Sequence, residues 1–181
     1  MLDYSGTLTY EFLNLCTTIN YHPMPDFSFE IKNSRDFFAK LLADYQEYRK
    51  DTTNSRTALN CSMTAWHLIE WIYDEFSYNT SSNFTKISSF QEHLKSLCPS
   101  LKIMQDLTNG TKHSKLTKYK PHVKEARLHE GDFSSDFSRD FDITTLEIEL
   151  NDGTKKYFED EARLVVDFWT NFLKANHAIS I

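Results

Sequence analysis

Apolar residues recur with helical period over most of this chain and switch to strict alternation only after Pro121. Phe37, Leu41, Tyr45 and Tyr48 form one stripe with Phe38 and Leu42 beside it, which predicts a helix from about Arg35 to Arg49 capped by Ser34. A second helix, about Ser55 to Phe76, is apolar nearly all round, the pattern of a helix in the middle of a bundle. Its polar residues Asn60, Thr64 and His67, together with Trp71, fall on a narrow seam along one side. Capping-box spacing at Ser88 and Ser89 predicts a third helix ending at Cys98. Pro99 suits the first turn of a fourth, with Leu101, Met104 and Leu107 facing inwards.

The alternating stretches His122 to His129, Ile143 to Leu150 and Lys155 to Phe158 read as strands. Asn151-Asp152-Gly153 joins the last two as a hairpin turn. A closing helix, about Glu159 to Asn176, starts with acids and buries Val165, Trp169, Phe172 and Leu173. Pro23 and Pro25 break the pattern before Lys32, which predicts an irregular segment wrapping the core. No internal repeat or interdomain linker stands out. The expected fold is mainly α (α+β): one domain over 1–181, a four- to five-helix bundle with a small antiparallel β-hairpin or three-stranded sheet inserted over 122–158.

Composition narrows the class. Of the 181 residues, 40% are hydrophobic and 14% aromatic, while Gly and Pro number only four each, which excludes disordered and turn-rich all-β chains. A net charge of −6 excludes a surface coated in basic charge for wholesale nucleic-acid or membrane binding. No segment approaches the roughly 18 apolar residues of a membrane span. The cysteines Cys16, Cys61 and Cys98 are odd in number and lack CxxC spacing, so free thiols in a reducing compartment are expected. Acidic residues stand where a secretory signal needs positive charge, and the expected location is cytoplasmic. Neither metal-ligand spacing nor any phosphate-cradling Gly-rich loop is present, so no cofactor is expected.

The most unusual stretch is Asp106-Leu-Thr-Asn-Gly-Thr-Lys-His113. On a continuous helix, Asp106, Asn109 and His113 line one face with Lys112 beside them, and an imidazole near an amide and an ammonium group can move a proton next to a bound phosphate. The alternative is that Asn109-Gly110 is a helix C-cap with His113 on the following loop, which spacing alone favours. His67 likewise reads more readily as a hydrogen-bonded core histidine than as a catalytic group. Downstream, Lys112, Lys115, Lys118, Lys120, Lys124 and Arg127 face only Glu125, roughly +5 locally. Tyr119, His113 and His122 interleave with these charges, a composition suited to phosphate contact and base stacking, or to a solvated basic loop.

The run Thr64-Ala65-Trp66-His67-Leu68, then Cys98-Pro99 and Asp106 to His113, resembles a bacterial family of helical proteins with a TAWH run and a later NGSKH-like run. That family brings no assigned activity. More distantly, Thr108-Asn109-Gly-Thr-Lys-His113 resembles the active motif of HEPN domains, an Arg, a polar residue and then a His after four to six positions. The HEPN resemblance implies an RNA-directed helical homodimer of a prokaryotic defence or toxin system, acting as a metal-independent endoribonuclease. His113 would be the acid/base, Asn109 and His67 its companions, and Arg56, Lys112, Lys115, Lys118 and Lys120 the phosphate and RNA contacts. Thr108 stands where that family has its Arg. The rival expectation is a non-catalytic module that binds a protein, such as one encoded nearby, or a nucleotide. It needs a contiguous apolar surface patch. The aromatic surplus predicts a dimer through helix faces.

Overall fold

A computed structural model describes residues 28–77, 84–112 and 119–177. The expected wrapping segment before residue 28 and the polar loop at 78–83 lie outside the described residues, as do His113, Lys115 and Lys118. The described chain forms helices α1 (Ser34–Tyr48), α2 (Ser55–Ser77), α3 (Ile87–Leu97) and α4 (Ser100–Lys112). Strands β1 (Val123–His129), β2 (Thr145–Leu150) and β3 (Lys155–Tyr157) and helix α5 (Phe158–His177) follow. The protein is mainly α with a three-stranded antiparallel sheet, in the order β1-β2-β3. No helix among the described residues is long and apolar enough to cross a membrane.

Local chemistry moved several boundaries. Asn33, not Ser34, caps α1: its side chain accepts from the Asp36 amide at 2.9 Å. Ser34 instead is buried in the first turn and binds Glu75 of α2 through its amide and hydroxyl, each at 2.6 Å. Helix α3 begins a residue before the expected serines, with Lys86 in the cap position and no side-chain cap. Phe158 opens α5 rather than ending β3. The hairpin turn forms as its sequence requires, with Gly153 at φ +84°, a region that favours glycine.

One core spans helices and sheet. Leu68, Ile69 and Ile72 of α2, Leu101 and Met104 of α4, Ile148 of β2 and Val165, Trp169 and Leu173 of α5 are all essentially inaccessible. Helix α2 lies against both α1 and α4.

Two residues of the α2 seam, Thr64 and Trp71, meet α1. Thr64 donates to Asp44 at 2.5 Å and accepts from Lys40 at 2.7 Å, and Trp71 stacks on Phe37 with ring centroids 5.0 Å apart. Seen alone, Lys40 and Asp44 look like solvent-facing charges of an amphipathic helix. They satisfy a buried hydroxyl that would otherwise cost about 1–3 kcal/mol. Next to them the buried Cys61 thiol is pushed up to about 12 by burial and by the Asp44 carboxylate, against the opposing Lys40 charge. Cys61 and Cys98 are free and buried, which fits structural rather than reactive thiols.

Candidate functional site

Helix α4 runs unbroken through Asn109-Gly110 to Lys112, so the pair is not a C-cap. Gly110 is exposed and, among the described residues, nothing approaches its backbone closely. Asn109 is half-buried and Lys112 exposed at the helix end. His67 is partly exposed on α2, its Nδ1 3.6 Å from Glu70. Hydrogen bonding to His67 holds the Glu70 carboxyl below its ordinary range, burial opposes this, and the charges of His67 and Lys112 lower it further. No hydrogen bond joins His67 to Asn109 among the described residues. Arg56 is exposed in the first turn of α2, about 16 Å from His67 along the helix axis at 1.5 Å per residue. The hydrogen bond and charge of Lys50 hold the Glu47 carboxyl of α1 below its ordinary range against the effect of burial, and the Arg56 charge adds to this.

Asp106 has a different task from the one its spacing suggests. Its buried carboxylate accepts from the Tyr119 hydroxyl at 2.5 Å and from the amides of His122 and Val123 at 2.6 and 2.8 Å. It therefore pins the start of β1 to α4. Burial and this bond push the Tyr119 phenol well above its usual range. Two residues on, Thr108 is 3% exposed, and its hydroxyl is the one buried side-chain polar atom without a partner among the described residues. Thr108→Val keeps the shape and removes the unpaired hydroxyl. We expect it to raise stability by about 1 kcal/mol, seen as a higher midpoint in thermal unfolding. An unchanged or lower midpoint would mean that the hydroxyl is satisfied.

The basic segment is less available than its sequence suggests. Lys124 binds Glu149, and Arg127 binds Glu147, which also receives Lys155. Lys112 and Lys120 remain exposed. No group of three or more His, Cys, Asp or Glu among the described residues is arranged to hold a metal ion.

The sheet carries a site the sequence reading missed. Between β1 and β2 the chain reads Asp132-Phe-Ser-Ser-Asp136-Phe-Ser-Arg-Asp140-Phe-Asp142, a four-residue Asp-Phe repeat. The fold gives the spacing its reason. The Phe137 amide donates to Ser134 at 3.2 Å and the Phe141 amide to Ser138 at 3.0 Å, two successive turns that each deliver a Phe at the fourth position. Phe133, Phe137 and Phe141 thereby gather, with ring centroids 5.1 to 6.4 Å apart, and stand 40%, 52% and 51% exposed.

This platform rests on a fixed base. Phe133 donates to Asp142 at 3.0 Å and accepts from Thr144 at 2.8 Å. Gly131 lies so close to the Asp142 backbone that a Cβ there would come within 2.3 Å of its oxygen, so only glycine fits. Arg139 binds Glu159 and Asp160 in the first turn of α5 and lies 4.6 Å over the Tyr157 ring. Arg139 is thus satisfied and Asp142 is paired with His129 at 2.6 Å, so the exposed carboxylates Asp132, Asp136 and Asp140 give the platform an acidic rim. Comparison of the chain with protein-family models, with curated proteins and with solved structures finds no match among any of them.

Proposed function

We propose that the protein is a non-catalytic protein-binding module whose binding face is the Phe133, Phe137 and Phe141 platform. The observation that carries this reading is three phenylalanines held in mutual contact and in water by an anchored loop. Burying a phenylalanine is worth about 1.5–3 kcal/mol, so a cover over this patch supplies binding energy. A pre-anchored loop also saves the ordering cost of binding. The acidic rim selects a partner segment with apolar anchors flanked by Lys or Arg, which can also pack cations over the ring faces.

A second reading keeps the protein RNA-directed and HEPN-like, with His113 as acid/base beside Asn109. It is supported by the continuous run of α4 through Asn109 and by the Lys112 charge reaching Glu70 beside His67. In this reading Lys112, Lys115, Lys118 and Lys120 contact the phosphates.

One titration series separates the two. The probes are a short amphipathic helical peptide of Leu and Lys, its Leu and Glu counterpart, and a single-stranded RNA, each followed by fluorescence anisotropy. The cationic peptide should bind, the acidic one should not, and Phe133, Phe137 and Phe141 replaced together by Ser should weaken binding by about tenfold or more. Equal binding by the triple variant would remove the platform from the function. RNA binding that survives this variant, falls steeply with salt and is lost when Lys112 and Lys120 become Gln would favour the second reading.

A further inference from the structure

We propose that two copies of the chain pair through the free edge of β1, antiparallel about a two-fold axis at Ala126, to form one six-stranded sheet. This surface is distinct from the aromatic platform.

Among the described residues β1 pairs with β2 alone, and Lys124 to Leu128 are all exposed. The hydrogen-bonding direction of each residue follows from the hairpin. The Leu150 amide donates to Thr154 within it, whereas the Asn151 amide donates across to His122 at 3.0 Å. Alternate residues of β2 therefore point towards β1, and in the observed register Glu147 and Glu149 do so opposite Arg127 and Glu125. Ala126 and Leu128 are left with outward amides and carbonyls, a template for another strand.

The charges on β1 select both the occupant and the register. With the axis at Ala126, the two Ala126 residues exchange hydrogen bonds. Glu125 of each copy then faces Arg127 of the other at the positions between hydrogen-bonded pairs, where side chains come closest. Both residues lie on the outer face of the sheet, with Glu147 and Glu149, so the pairs meet on one side. Moving the axis one residue either way sets Glu125 against Glu125, or Arg127 against Arg127. The strand is self-complementary in the register at Ala126 and repels itself in those beside it. Ala126 also puts the smallest side chain of the strand at the axis, and Leu128, 43% exposed, gains cover.

The test is a pair of charge variants read by sedimentation velocity at micromolar concentration. The native chain should sediment as a dimer. Glu125→Arg alone and Arg127→Glu alone should each be monomers near 21.3 kDa, because each sets like charges across the axis twice. Mixed in equal amounts, they should form a heterodimer, since one strand then carries only arginines where the other carries only glutamates. A native monomer overturns the proposal. So does a single variant that stays dimeric, which would put the interface elsewhere, such as on the helix faces, and so does a mixture that stays monomeric. Arg127→Glu also loses its bond to Glu147, so a second variant guards the outcome. Ala126→Cys should cross-link to a dimer on mild oxidation, because hydrogen-bonded partners stand about 5.5 Å apart, within disulfide reach. Leu164→Cys, on an exposed face of α5, should not cross-link. Failure of the Ala126→Cys chain to cross-link overturns the proposal as well.

Discussion

Asp106→Ala is expected to destabilise the protein by about 3–4 kcal/mol and to lower its thermal midpoint by roughly 8–15 °C. One carboxylate accepts three hydrogen bonds from groups on the far side of a chain connection, the Tyr119 hydroxyl and the first amides of β1. Its removal leaves all three without their acceptor at once, and no neighbouring oxygen is shown to replace it. Asp106→Asn should fall between the native chain and Ala, because its amide keeps one oxygen but turns a donor towards the donors. Tyr119→Phe should cost only about 1 kcal/mol, as it removes one bond of the three. Circular dichroism melts of the three variants give the ranking. If Asp106→Ala melts with the native chain, the carboxylate is not the pin that joins sheet to helix.

Trp169→Ala is expected to cost about 3–5 kcal/mol, the range for a large aromatic lost from a core. Trp169 is fully buried on α5 between Phe168 and Phe172, and its indole N–H donates to the Ala65 carbonyl of α2 at 3.1 Å. It contributes volume and a tie between two helices. Trp169→Phe separates these contributions, keeping most of the ring while losing the bond, and should cost about 1–2 kcal/mol. Urea unfolding of both variants is the appropriate measurement, with the slope expected to stay constant. A loss below about 1 kcal/mol for Trp169→Ala would mean that α5 is not part of the central core.

The elements with strong periodicity were legible in the sequence, and so was the hairpin, because Asn151-Asp152-Gly153 demands a turn. The end of α4 was not. Asn109-Gly110 has the composition of a cap, but the helix carries the glycine for about 1 kcal/mol, and Thr111 donates back to the Leu107 carbonyl at 2.7 Å. The partner of the polar seam was illegible for another reason. Lys40 and Asp44 serve Thr64 only because α1 and α2 pack face to face, and no local pattern announces that. The Asp-Phe repeat was visible all along. Its spacing of four is shorter than the repeats of solenoids, and its Ser and Asp content reads as an ordinary polar loop until the turns are seen.

The junction between β3 and α5 contains no loop residue: Tyr157 ends the strand and Phe158 begins the helix. Such a joint has no slack in sequence length. Each residue of an α-helix advances its side chains by about 100°, so one residue gained or lost at this point would turn Val165, Trp169 and Leu173 off the core. Length change is therefore forbidden here, whereas the connection between β1 and β2 runs over 130–144 and folds into turns of its own. The sheet thus passes into α5 through a joint whose residue count is fixed by the core that the helix must reach.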